Sequence, residues 1–258
     1  MAVRISIPGC VLATDSVRDV ASRAGRFFRS SGGGFVNKAI SILRLAAVLL
    51  GCVAVIATVA DTATRAKINP FNFFGFFTMQ SNIIWYVVMA ITAVVLLTGR
   101  KQSALLHMAR GCATTYMILT GAIYNVLLAG QEGGVALAWA NSVVHTVLPL
   151  YAVLDWILFD DRRPLAWKRL WVSLIYPMVW VVVVLIRGAT DGWVPYPFLN
   201  PDTGYGLVFV YVMGIAALTI ATAAIVWALS RLQLIKVDPS ALDTDRLQTA
   251  IPGAPGGR

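Results

Sequence analysis

Thr78 and His145 are the two side chains of this sequence whose types suit a nucleophile and its base. A threonine hydroxyl attacks a carbonyl once a base removes its proton, and histidine is the side chain that titrates nearest neutral pH. Thr78 stands in Phe73-Phe74-Gly75-Phe76-Phe77-Thr78-Met79-Gln80-Ser81-Asn82. The spacing of Thr78, Ser81 and Asn82 puts all three on one face of a helix. A second polar group, Tyr124-Asn125, follows Thr120-Gly121-Ala122-Ile123, while Asn141 and His145 form an i,i+4 pair about 6 Å apart along a helix axis. Asn82 and Asn125 fit two roles, donating to a developing oxyanion or hydrogen-bonding between helices. Plain structural roles exist for the central pair too. A threonine in an apolar helix bonds the carbonyl one turn back, here Phe74, and a neutral imidazole bonds a neighbouring helix.

These residues lie within an extremely apolar chain of 258 residues, 58% hydrophobic and 13% charged, with mean hydropathy +0.74. Soluble domains carry about 25% charge, so lipid is the expected solvent. Six apolar runs, each near the roughly 20 residues needed to cross a bilayer, cover 39–60, 74–97, 104–129, 135–159, 166–186 and 205–229. Backbone amides in lipid must be satisfied internally, and uninterrupted apolar runs favour helices over barrel strands. The expected fold is therefore all-α, a polytopic six-transmembrane-helix bundle. Pro177 falls inside the fifth run and predicts a kink. The expected organisation is a flexible basic tail over 1–37, the membrane domain over 38–231 and a disordered tail over 232–258.

Basic residues alternate along the chain, with the N-terminal tail, Arg100/Lys101/Arg110, Arg162/Arg163/Lys168/Arg169 and the C-terminal tail forming the rich set. The positive-inside rule then predicts a cell-membrane protein with both termini cytoplasmic. On that topology Thr78, Asn82, Tyr124, Asn125, Asn141 and His145 share a depth in the outer half of the bilayer. Asp155 lies about 15 Å further inward along the fourth helix, too far to orient His145. It is expected to pair with basic residues at the inner boundary, with Trp156 as an interfacial anchor. The loop from Arg187 to Pro201 is read as a semi-rigid cap over the outer pocket or as a spacer.

The net charge of +9 is placed where headgroups explain it, which argues against nucleic acid and for membrane lipids as partners. Cys10, Cys52 and Cys112 show neither disulfide nor zinc spacing, a single deep histidine argues against bis-histidine haem, and no cofactor or metal is expected. GxSxG and HExxH are absent.

FFTMQSN in the second helix, TGAIYNVLL in the third, NSVVHTVLPLYAVLDWILF in the fourth and WVPYPFLNP before the sixth resemble the androgen-induced and androgen-dependent family of six-span membrane proteins. The resemblance implies a threonine hydrolase acting on fatty acid esters of hydroxy fatty acids, with Thr78 as nucleophile and His145 as base. Ser81, Asn82, Tyr124, Asn125 and Asn141 are the expected pocket or oxyanion residues. Two other readings use the same cluster: a non-enzymatic lipid-binding or transport protein, and a structural partner in a membrane complex.

Overall fold

The computed structural model describes residues 11–128, 137–232, 234, 235 and 237, with side chains from residue 34 onward. Its elements are α1 (Val11–Arg65), the short α2 (Pro70–Phe73), α3 (Phe77–Leu97), α4 (Ala104–Ile123), α5 (Ala138–Ser142), α6 (Leu148–Leu158), α7 (Val172–Thr190) and α8 (Tyr205–Leu229). A π-helical turn at Tyr124–Leu128 extends α4, and another at Val143–Val147 joins α5 to α6. Six helices are long and apolar enough to span a membrane: Gly34–Arg65, Phe77–Leu97, Ala104–Leu128, Ala138–Leu158, Trp167–Thr190 and Tyr205–Leu229. The all-α, six-span bundle read from the sequence is the observed architecture, and no strand occurs among the described residues. This is a multi-pass membrane protein in contact with lipid: large apolar side chains such as Leu150, Val182 and Phe209 point outward on the spans.

α1 runs through the boundary expected at residue 37 without a break. No proline interrupts it, and Gly32, Gly33 and Gly34 each lower helix stability by only about 1 kcal/mol, too little to force a stop. The side chains before Gly34, the connection around Gln131 and most of the expected C-terminal tail lie outside the described residues. Local signals close other elements. Asn69 caps α2 by accepting from Phe71 N at 3.0 Å ahead of Pro70, and Ser103 caps α4 by accepting from Leu106 N at 3.1 Å. Gly99, at φ 67°, turns the chain out of α3.

The third span is the hub: α4 packs against α3, α6 and α8, and α1 lies along α3. Between apolar helices in lipid, close packing and polar contacts hold the bundle together. At the end that carries the basic connections, four charged side chains close a ring. Arg44 donates to Asp155 at 2.7 Å and to Asp161 at 2.5 Å; Arg110 donates to the same carboxylates at 3.3 and 2.9 Å. All four are buried, and Gln102 bridges Asp161 and Arg110. The ring ties spans one, three and four to the 159–166 connection, which is the pairing expected of Asp155. Burial opposes the charge of Asp161, but Arg110 and Arg44 beside it overcome that and hold its carboxyl below the usual range.

Trp156 is not an interfacial anchor: it is 1% exposed, donates from Nε1 to Val226 O at 2.9 Å and packs with Trp227 and Leu165. Arg162 lies over its ring at 4.6 Å and donates to Phe159 O, Leu229 O and Leu232 O, so one guanidinium closes the carbonyl ends of spans four and six. Packing against span six and Leu165 buries this tryptophan, a tertiary outcome that its dipeptide context does not contain.

Candidate active site

At the opposite end of the bundle, Thr78 and His145 meet. Thr78 is the second residue of α3, where unpaired amides and the positive end of the helix dipole lie. Its Oγ1 stands 3.3 Å from His145 Nε2. The other ring nitrogen, Nδ1, is 3.1 Å from the Asn141 carbonyl oxygen. A carbonyl only accepts, so Nδ1 carries the proton and Nε2 presents a lone pair to the Thr78 hydroxyl. That is the tautomer a general base needs. The bond to the Phe74 carbonyl considered for Thr78 is not the one formed. This distinguishes it from Thr58, Thr92, Thr115, Thr190 and Thr219, which all donate one turn back along their own helix.

The imidazole is fixed from several directions. The Tyr124 ring stacks on it with centroids 3.8 Å apart and planes 22° from parallel, and Asn141 Nδ2 donates to the Tyr124 hydroxyl. Asn125 Nδ2 donates to Gly121 O at 2.8 Å and to His145 O at 3.2 Å. Tyr124 and His145 sit in the two π-helical turns, which face each other across spans three and four. The residue four after His145 is Pro149, which has no N–H, so the His145 carbonyl lacks its ordinary helical donor and is free for a side-chain one. Gly121 makes the approach possible, because a Cβ there would stand 2.9 Å from Pro149 Cβ and 3.2 Å from His145 O.

Asn82 is fully buried and joins spans two and four, donating to Thr78 O at 2.9 Å and Val144 O at 3.3 Å while accepting from Tyr86 Oη at 3.1 Å. Both asparagines proposed from sequence as oxyanion donors thus spend their amide protons on carbonyls. Those bonds tie span two to span four through Asn82 and span three to span four through Asn125. Ser81 is fully buried one turn along α3 but takes no place in the wall of the cleft described next.

Thr78 and Tyr124 line a narrow apolar cleft of about 30 Å³ among spans two, three, five and six. Phe77, Leu119, Pro177, Trp180 and Ile215 form much of its wall. Tyr196 and Phe198 from the 191–204 connection also line it, and Phe76 makes edge-on contacts with Trp193 and Tyr196. The proline- and aromatic-rich connection therefore contributes two aromatic side chains to the cleft wall. Trp180 anchors the same corner through Nε1 to Gly75 O at 2.8 Å. One lining residue escaped the sequence reading. Thr120 faces the cleft from α4, is 3% exposed, and its Oγ1 has no hydrogen-bond partner among the described residues. Its sequence signal was only its register: it lies four residues before Tyr124 and thus on the same helical face.

No group of three or more His, Cys, Asp or Glu side chains able to hold a metal occurs among the described residues. Residues 114–230 match the family model described as FAR-17a/AIG1-like protein, in agreement with the resemblance drawn from the sequence phrases. That stretch contains Thr120, Tyr124, Asn125, Asn141 and His145, whereas Thr78 lies before it. No curated protein and no solved structure matches the chain.

Proposed function

We propose, from the premise that this is a FAR-17a/AIG1-like chain over residues 114–230, that the protein is an integral membrane threonine hydrolase of lipid esters. Fatty acid esters of hydroxy fatty acids, or esters of similar shape, are the substrate class. The observation that carries the reading is the 3.3 Å approach of His145 Nε2 to Thr78 Oγ1 at the wall of an apolar cleft. A nucleophile within hydrogen-bond reach of an oriented base, with that base held by a further group, is the arrangement nucleophilic acyl transfer requires. The Asn141 carbonyl, not a carboxylate, is the group that orients His145.

His145 Nε2 takes the Thr78 proton as Thr78 Oγ1 bonds to the ester carbonyl carbon, and the carbonyl π pair moves onto oxygen. Collapse of the tetrahedral intermediate restores the carbonyl and breaks the bond to the alcohol oxygen, which leaves with the proton from His145. Water then repeats the sequence on the acyl-threonine, releasing the fatty acid and restoring both residues. The apolar lining of the cleft, in a bundle surrounded by lipid, matches the chemistry of an acyl chain. By the positive-inside rule, the end with Arg100, Lys101, Arg162 and Arg163 faces the cytoplasm of a cell-membrane protein, both termini lie there, and Thr78 lies in the outer half of the bilayer.

The test is turnover of a panel of lipid esters by purified wild type, Thr78→Ala and His145→Ala, with fluorophosphonate labelling and thermal unfolding as a check of folding. Folded variants that both lose turnover, with labelling abolished in Thr78→Ala, support the hydrolase. Stoichiometric lipid binding without turnover by wild type replaces it with a lipid-binding or transport function.

A further inference from the structure

We propose that the Thr120 hydroxyl donates to the substrate's carbonyl oxygen and stabilises the oxyanion formed on attack by Thr78, an assignment that rests on the hydrolase reading above. Three observations converge on it. First, Thr120 and Thr78 line the same cleft from spans that pack directly against each other. Second, Thr120 Oγ1 is buried without a partner. Hydrocarbon supplies no acceptor, and a hydroxyl left unpaired in such surroundings is held at a penalty that a ligand oxygen would remove. Third, the ordinary escape is not taken. Thr219, in the same cleft, donates to Ile215 O at 2.8 Å, and Thr115 on the same helix donates to Gly111 O at 2.9 Å. Thr120 keeps its proton uncommitted.

The amide donors near Thr78 are already committed, while Ser81 Oγ, also without a partner among the described residues, takes no place in the cleft wall. Asn82 and Asn125 donate to backbone carbonyls, and Asn141 donates to Tyr124. His145 uses Nδ1 on Asn141 O and faces Thr78 with Nε2. Among the threonines lining the cleft, Thr120 is buried with its hydroxyl unpartnered, whereas Tyr124 Oη is held by Asn141; a donor already in place needs no reorganisation as charge develops. Its neighbour Gly121 holds α4 tightly against Pro149 and the His145 carbonyl, which fixes the wall carrying Thr120 relative to the base. In the reaction, the carbonyl oxygen gains the π electron pair, accepts the hydrogen bond from Thr120 without taking its proton, and returns the pair when the ester bond breaks.

The experiment compares Thr120→Val, Thr120→Ser and Thr78→Ala in the full-length protein in detergent, using a fatty acid ester of a hydroxy fatty acid as the probe. Thr120→Val keeps the side-chain shape and removes the donor. It is expected to lower kcat about 10²- to 10³-fold with KM changed less than about threefold, in line with loss of one oxyanion donor. Thr120→Ser keeps the donor and is expected to retain kcat within about tenfold of wild type by that same measure. The melting temperature of Thr120→Val should equal or exceed that of wild type, because the hydroxyl it removes had no partner; a structural role for Thr120 predicts the reverse. Should Thr120→Val fail to fold, Thr120→Ala carries the same kinetic comparison. Unchanged kcat in the valine variant, beside complete loss in Thr78→Ala, overturns the oxyanion assignment and leaves the hydrolase reading standing. Undiminished turnover in Thr78→Ala overturns both.

Discussion

Replacing Asp155 by asparagine should destabilise the bundle strongly and leave the chemistry of Thr78 alone. In the folded protein Asp155 and Asp161 neutralise Arg44 and Arg110 within a ring whose side chains are at most 3% exposed. The variant keeps the size of the side chain but leaves two guanidinium groups to share one carboxylate in a low-dielectric setting. Removing one partner from a buried ion pair costs about 3–5 kcal/mol, most of it the penalty of the charge left behind. For a chain of this size about 2–4 °C of melting temperature accompanies each kcal/mol, so the expected fall is roughly 6–20 °C. The assay is thermal unfolding in a fixed detergent, read by intrinsic tryptophan fluorescence. Arg44→Met/Asp155→Leu, which removes opposite charges together and leaves Arg110 with Asp161, should fall by less than the sum of Arg44→Met and Asp155→Leu measured singly. Per folded molecule, kcat should stay within about threefold of wild type, because the ring lies about 15 Å along the fourth span from His145. A melting temperature within 2 °C of wild type in Asp155→Asn would refute the reasoning, as would additive losses in the double variant.

Two further outcomes follow from the same geometry. Gly121→Ala places a Cβ 2.9 Å from Pro149 Cβ, so spans three and four must separate at His145; kcat should fall at least about tenfold while lipid binding is retained, measured as ester turnover beside binding of a non-hydrolysable ether analogue. The pH dependence of stability should come from the acid side. Burial raises the pKa of Asp161, but Arg110 and Arg44 outweigh it and lower the carboxyl below its ordinary value. The ring's contribution is therefore fully present above about pH 3.9, the ordinary aspartate value, and is lost as pH falls further through the depressed folded value. Melting temperatures from pH 5 to pH 7 should accordingly be flat for this term and drop below pH 4, with the acid drop reduced in Asp161→Asn.

How the polar residues divide their work could be read only partly from their order. The phrases around Thr78 and His145 announced polar faces at a common depth, because helix rise and span order fix depth. They left each asparagine with two possible roles. The structure resolves these through partners: Asn82 bridges to Val144 and Asn125 to the His145 carbonyl. Thr120, by contrast, looked like any threonine in an apolar helix. Its distinction is the bond it does not make, and rotamer choice against neighbouring helices leaves no mark in a one-dimensional pattern.

By itself the sequence determined six apolar helices, because every residue in lipid must have its backbone bonds closed locally, and hydropathy counts that requirement residue by residue. It also determined that Asp155 would seek cations, since an isolated carboxylate in a bilayer is prohibitively unstable. Tertiary structure alone decided which cations, turning Arg44 of the first span and Arg110 of the third into one ring with Asp155 and Asp161. Tertiary structure likewise drew Trp156 inward, opened π turns on facing helices and brought His145 Nε2 to 3.3 Å from Thr78 Oγ1. These outcomes depend on which helix faces touch and at what rotation, and that is set by the packing of all six spans at once.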